Sequence, residues 1–92
     1  MEDKIRAEII VEGLVQGVGF RYFVYQNALT LGLKGYVKNR WDGTVYLIAE
    51  GQRTSIDTLK SILQKGPMMS HVEKVSINLG TVTNDFEDFE IR

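Results

Sequence analysis

Residues 13–21 read Gly-Leu-Val-Gln-Gly-Val-Gly-Phe-Arg, and they stand where a strand-like pattern gives way to a helical one. Glycine-dense backbone feeding directly into a helix gathers unpaired N–H groups at the positive end of the helix dipole, which makes a pocket for an anion. Arg21 follows at once, a permanently charged planar fork suited to phosphate or carboxylate oxygens. A cation on the first helical turn opposes the dipole, so a bound anion gives Arg21 its reason to be there. Glycine-rich turns without such a residue more often serve only a tight connection; Arg21 moves the reading toward a ligand. The candidate anion-binding set is the loop Gly13, Leu14, Val15, Gln16, Gly17, Val18, Gly19 and Phe20, joined by Arg21.

Gly17-Val18-Gly19 opens as a dinucleotide fingerprint does, but Tyr22 occupies the third glycine position, and Gly-Lys followed by Ser or Thr is absent. One phosphate fits better than a nucleotide. The 92 residues make one domain, 1–92, able to bury roughly two thirds of the unfolded surface, with no room for a cofactor module. Eleven Lys and Arg against twelve Asp and Glu leave a formal charge of −1, without the broad positive field of a nucleic-acid or anionic-membrane binder. The absence of cysteine removes disulfides, thiolate catalysis and cysteine-ligated metals, and favours an intracellular, cytoplasmic setting. The longest apolar run, Val45 to Ala49, is far too short for a membrane span, and no secretory signal is expected.

The elements that must position the loop follow from periodicity. Ile5, Ala7, Ile9 and Val11 alternate with Arg6, Glu8 and Glu12 as in a strand with one buried face, which Ile10 interrupts. Phe20, Val24, Ala28 and Leu31 recur at three- and four-residue steps, predicting a helix over 21–31 with Gly32 as its left-handed cap. Segments 34–40 and 44–50 are rich in β-branched and aromatic residues and flank the hairpin turn Trp41-Asp42-Gly43. Thr54-Ser55-Ile56-Asp57 reads as a capping-box start, and Ile56, Leu59, Ile62 and Leu63 form a buried stripe that ends at Gly66-Pro67. Val75, Ile77 and Leu79 make a fourth strand, Phe89 and Ile91 a short terminal one. This order predicts an α+β, ferredoxin-like βαββαβ sandwich, with two helices on one face of an antiparallel sheet of four or five strands. Met68 and Met69 are expected to fill core gaps, and Tyr22, Phe23 and Tyr25 to pack against the core and sheet.

The stretch Gly13 to Val24 closely resembles the signature of the acylphosphatase family. The likeness continues in Leu31-Gly32-Leu33-Lys34-Gly35-Tyr36-Val37-Lys38-Asn39, Asp42-Gly43-Thr44-Val45, Glu50-Gly51, Gly66-Pro67 and Phe89-Glu90-Ile91-Arg92, in order and at the usual spacing. Tyr36 stands where a Trp is common, and Trp41 occupies a hairpin position that often carries a smaller residue, which bears on the pocket rim. The resemblance implies hydrolysis of the carboxyl–phosphate anhydride of small acyl phosphates, such as acetyl phosphate, carbamoyl phosphate and 1,3-bisphosphoglycerate, with no metal and no cofactor. It carries two catalytic residues onto this chain: Arg21 binds the phosphoryl group together with the Gly13 to Gly19 amides, and Asn39 holds the attacking water. A small-molecule acyl phosphate is the implied partner of a monomer that binds neither nucleic acid nor membrane.

Two such residues suffice only for a good leaving group, because Arg keeps its proton and a neutral amide is no base. A carboxylate, whose parent acid has a pKa of about 4, departs unprotonated, so no general acid is required. Positioning and charge stabilisation remain, tasks that suit an Arg fork and fixed N–H donors. No carboxylate is tied to the site by spacing, and a phosphate oxygen of the substrate is the expected proton acceptor. Such a pocket reads the phosphate and tolerates many acyl tails. His71 reads as structural, and Lys34, Lys38 and Arg40 as a solvated strand face. Two other classes compete. An RNA-recognition module shares the fold, and Lys34-Gly35-Tyr36 opens like its motif, but Val37, Lys38 and Asn39 then depart from it. The second is a domain that binds an acyl phosphate without turning it over.

Overall fold

The computed structural model describes residues 3–92, in the order β1 (Lys4–Leu14), α1 (Phe20–Thr30), β2 (Lys34–Asn39), β3 (Val45–Gln52), α2 (Arg53–Lys65), β4 (His71–Gly80) and β5 (Phe89–Ile91). All five strands share one sheet, β4-β1-β3-β2-β5. The pairs β1–β3, β1–β4 and β2–β3 are antiparallel, while β5 runs parallel to β2, with Phe89 beside Gly35 and Ile91 beside Val37. The sheet is thus mixed rather than wholly antiparallel. Register explains the difference. β4 ends level with Arg6, whose neighbours across the sheet are Glu50 and then Lys34, so residues 81–88 cross at that end and β5 can only return in the direction of β2.

The period-two alternation of β1 buries Ile5, Ala7, Ile9 and Val11 against the helices. Helix α1 answers with Phe20, Val24 and Ala28, and α2 with Ile56, Leu59 and Leu63. Each large apolar side chain so buried contributes about 1.5–3 kcal/mol. Leu31 and Ile62, expected in these stripes, are only half-buried at their margins. Helix α1 begins one residue earlier than the periodicity implies and closes in a Schellman motif, where the Gly32 N–H donates to the Leu29 carbonyl (3.1 Å) and the Leu33 N–H to the Ala28 carbonyl (2.9 Å).

Two local expectations fail. Helix α2 starts at Arg53 without a side-chain cap, because β3 runs on through Gln52 and the Arg53 N–H donates to the Asp3 carbonyl (2.9 Å), leaving Thr54 inside the first turn. Met68 and Met69 fill no gap; the Pro67–Ser70 turn, closed by the Ser70 N–H on the Pro67 carbonyl (3.0 Å), holds them out at 97% and 73% exposure.

The end of the sheet crossed by residues 81–88 is fastened by one carboxylate. Glu50 is buried and accepts from Arg6 Nη1 (2.9 Å), from the Thr83 N–H (2.9 Å) and Oγ1 (3.0 Å), and from the Asn84 N–H (3.1 Å). Burial pushes its carboxyl pKa up, but the Thr83 amide, the Arg6 guanidinium and the remaining donors together hold it below its ordinary value. A depressed folded-state pKa gives stability that is complete above the unfolded value and is lost as pH falls through the folded one. Glu50→Gln is therefore expected to cost about 1–3 kcal/mol at neutral pH and to lessen the loss of stability on acidification below the ordinary Glu range, as read from urea midpoints across pH.

Candidate active site

At the opposite end of the sheet four segments meet: residues 15–19, the first turn of α1, the β2–β3 hairpin and the end of β5. They enclose a cavity of about 240 Å³ lined by Gly17, Gly19, Arg21, Tyr22, Asn39 and Ile91, with Val15 and Phe20 at its base. A roomier hollow of about 350 Å³ beside Lys4, Lys34 and Glu50 lies at the other end, where the buried carboxylate is already saturated by donors.

The loop is shorter than its glycines imply. Gly13 and Leu14 belong to β1 and pair with Val72 and His71 beyond a bulge after Glu12, and Phe20 is already helical and buried. Val15 and Phe20 sink into the core and so pin both ends of the irregular stretch between them. Gly17 and Gly19 are left-handed, with φ of 74° and 76°, a conformation that L side chains resist. Gly19 is also the N-cap of α1, whose first turn has neither a side-chain cap nor an acidic residue. The first-turn amides, which cannot bond within the helix, therefore remain available beside the cavity. Of the expected loop residues, Gly13, Leu14, Gln16 and Val18 do not line it.

Asn39 enters from the other side, as the last residue of β2 opposite Val45. Its Oδ1 is buried and, among the described residues, has no hydrogen-bond partner. Such an orphaned acceptor is rare in a folded chain and points to a ligand or solvent molecule. Arg21 is steadied from a third element: Nη1 donates to the Arg92 main-chain oxygen (3.1 Å), and the Arg92 N–H donates in turn to the Val37 carbonyl (2.8 Å).

Gln16, expected to contribute its backbone, acts through its side chain instead. Its Nε2 donates to the carbonyls of Arg40 (2.7 Å) and Thr44 (2.9 Å), tying the loop to the hairpin that ends in Asn39. As the sole polar side chain between Gly13 and Phe20, it carried a visible signal. The hairpin is itself tight: the Gly43 N–H donates to the Arg40 carbonyl (3.2 Å), and Asp42 Oδ1 accepts from the Thr44 hydroxyl (2.7 Å) and N–H (3.0 Å). The Thr44 hydroxyl and amide, in that order, hold the Asp42 carboxyl below its ordinary pKa.

The basic residues of β2 do not converge on the cavity. Lys34 lies at the far end of the strand, while Lys38 and Arg40 stack on the Tyr46 ring at 5.6 and 4.9 Å from its centroid. Burial, and then donation of the phenol to Glu8 Oε2 (2.6 Å), push the Tyr46 pKa well above its ordinary value, so that hydroxyl stays protonated. His71 is exposed at the start of β4, outside the cavity. Tyr22 is not core packing as expected; it is 57% exposed at the cavity mouth and stacked on Tyr25. Among the described residues no group of three or more His, Asp or Glu side chains gathers as a metal site.

A family model described as acylphosphatase matches residues 7–91. The chain belongs to the acylphosphatase family. Two relatives named acylphosphatase, from Pasteurella multocida and Archaeoglobus fulgidus, are 43% and 45% identical to it, covering 96% and 95% of this chain and 98% and 97% of their own. The crystal structure of acylphosphatase from Bacillus subtilis superposes with a TM-score of 0.93 at 38% identity, covering 96% of this chain and 98% of that one. In this acylphosphatase the Gln16 bridge sets the separation of the loop and Asn39. Gln16→Leu is expected to lower stability by about 1 kcal/mol and acyl phosphate turnover by about tenfold or more, as measured by urea denaturation and by benzoyl phosphate hydrolysis.

Proposed function

We propose that the chain hydrolyses the carboxyl–phosphate bond of acyl phosphates to a carboxylate and inorganic phosphate, with Arg21 and the loop amides binding the phosphoryl group and Asn39 positioning the water. The observation that carries this reading is that Asn39, whose buried Oδ1 has no partner among the described residues, lines the same cavity as the Arg21 fork and the left-handed glycines. A water that donates one hydrogen to Oδ1 has a lone pair free for phosphorus. The equatorial oxygens, where charge spreads in the transition state, face the Arg21 guanidinium and the uncapped amides of α1.

The reaction asks little more of the protein. The departing carboxylate needs no proton, and no carboxylate or imidazole is among the residues lining the cavity, so a phosphate oxygen takes the proton of the attacking water. The division of labour follows: Arg21 acts on binding and on charge, Asn39 on the direction of attack. We extend the reading to a monomer in the cytoplasm, supported by the cysteine-free composition, and acting on small molecules rather than nucleic acid. For the last point the support is that Tyr36 and Tyr46 on the open sheet face are already covered by the chain's own Arg92 (4.0 Å) and Arg40 (4.9 Å). No helix among the described residues is long and apolar enough to cross a membrane.

The direct test follows benzoyl phosphate absorbance with the purified chain in excess chelator. Sustained turnover is expected, and binding without turnover would leave only a receptor for acyl phosphates. Asn39→Ala should keep the fold and the competitive inhibition by inorganic phosphate while losing roughly a hundredfold in kcat. Arg21→Ala should lose phosphate inhibition as well; unchanged inhibition would remove Arg21 from the pocket.

A further inference from the structure

The cavity of about 240 Å³ has room for a phosphoryl group, a water and a short acyl group, so the acyl portion of a longer substrate must emerge through its mouth. One side of that mouth is apolar, beside the exposed backbone of Gly17 and Gly19. Tyr22 and Ile91 line it and remain 57% and 42% exposed. The surrounding end of the molecule continues the same character: Leu14, Trp41, Met68 and Met69 are exposed there, and among the described large apolar side chains left exposed only Leu29 and Leu79 lie elsewhere. The topology accounts for the gathering. Leu14 pairs with His71, just after Met68 and Met69, and the hairpin bearing Trp41 is the one that Gln16 ties to the loop. Single exposed apolar residues are ordinary, whereas a set concentrated at one end of the molecule marks a contact surface.

We propose that the acyl group this site is built for is extended and apolar, an aliphatic chain of several carbons or an aromatic ring that lies over Tyr22 and Ile91 as it leaves the cavity. The occupant is decided by continuity: the same two residues belong to the phosphate cavity and to the exposed apolar surface, so a molecule held by its phosphate reaches them first. A charged acyl tail finds no second cation in the lining, because Arg21 is committed to the phosphoryl group and Lys38 and Arg40 are stacked on Tyr46. This inference rests on the acyl phosphate reading and narrows it from broad tolerance to preference.

The test is kcat/KM of the full chain for acetyl, butyryl, hexanoyl and octanoyl phosphate. A rise of up to about fourfold for each methylene that becomes buried is expected, levelling off once the chain passes the rim. Tyr22→Ser combined with Ile91→Ser should flatten the series, while Leu79→Ser at the far end keeps its slope. In the unaltered chain, inhibition by methyl- through octylphosphonate should tighten along the same course, which needs no variant. Equal kcat/KM along the series, or an undiminished slope in the double variant, overturns the preference while leaving the hydrolase reading intact. Absence of turnover with every member, acetyl phosphate included, overturns the hydrolase reading and this inference with it.

Discussion

Two hydrogen bonds from the Gln16 carboxamide, to the carbonyls of Arg40 and Thr44, join parts of the chain that no strand pairing joins. The glycine loop extends from β1 and the hairpin from β2 and β3, and the sheet fixes those strands but not what projects beyond them. Without the bridge, the loop and the hairpin would each keep their own anchors but would not be tied to one another by these side-chain hydrogen bonds. Reacting groups must be held within about 0.5 Å of their productive geometry, so this side chain bears on catalysis through the relative placement of the loop and the hairpin.

The two ends of the molecule treat polar groups in opposite ways. At one end Glu50 is buried under donors from Arg6, Thr83 and Asn84, which closes the crossover of residues 81–88 and leaves that carboxylate without capacity for a ligand. At the other, Asn39 Oδ1 is buried with no partner among the described residues, and the first turn of α1 has no side-chain cap. A small core can leave acceptors and donors unmet in one place because burial and hydrogen bonding are complete elsewhere. The unmet groups are therefore concentrated rather than scattered, on residues that line one cavity.

Much of this was legible in the residues. The alternation at Ile5, Ala7, Ile9 and Val11 and the three- and four-residue steps of Phe20, Val24 and Ala28 located the buried faces, because burial on one side imposes a period on the chain. Arg21 was legible from its place after the glycine loop and Asn39 from the family likeness, and the structure brings both to one cavity. What was not legible depends on partners distant in sequence. The capping box at Thr54 was displaced because β3 continues through Gln52 and because Asp3 supplies the acceptor for the Arg53 amide. Met68 and Met69 look like core residues by type, but their turn turns them outward. The acceptor for Arg21 is a main-chain oxygen of Arg92, and main-chain oxygens have no residue signature at all.

That last contact gives the parallel direction of β5 its meaning. Had β5 run antiparallel to β2, as the expected antiparallel sheet implied, Phe89 would stand at the cavity end, and Ile91 and Arg92 would stand toward Glu50. Running parallel, it sets Phe89 into the core, delivers Ile91 to the cavity lining and brings the Arg92 oxygen within 3.1 Å of Arg21 Nη1. The Arg92 side chain meanwhile lies 4.0 Å from the Tyr36 ring centroid and binds Glu90 (3.2 Å), so the same residue anchors the end of the strand through its side chain as well as its main chain. A guanidinium that must present one edge to a phosphoryl group needs another edge held, since its long side chain otherwise samples many rotamers. The short strand, marginal as a piece of sheet, thus acts chiefly as a fixed acceptor for the one cation in the cavity lining.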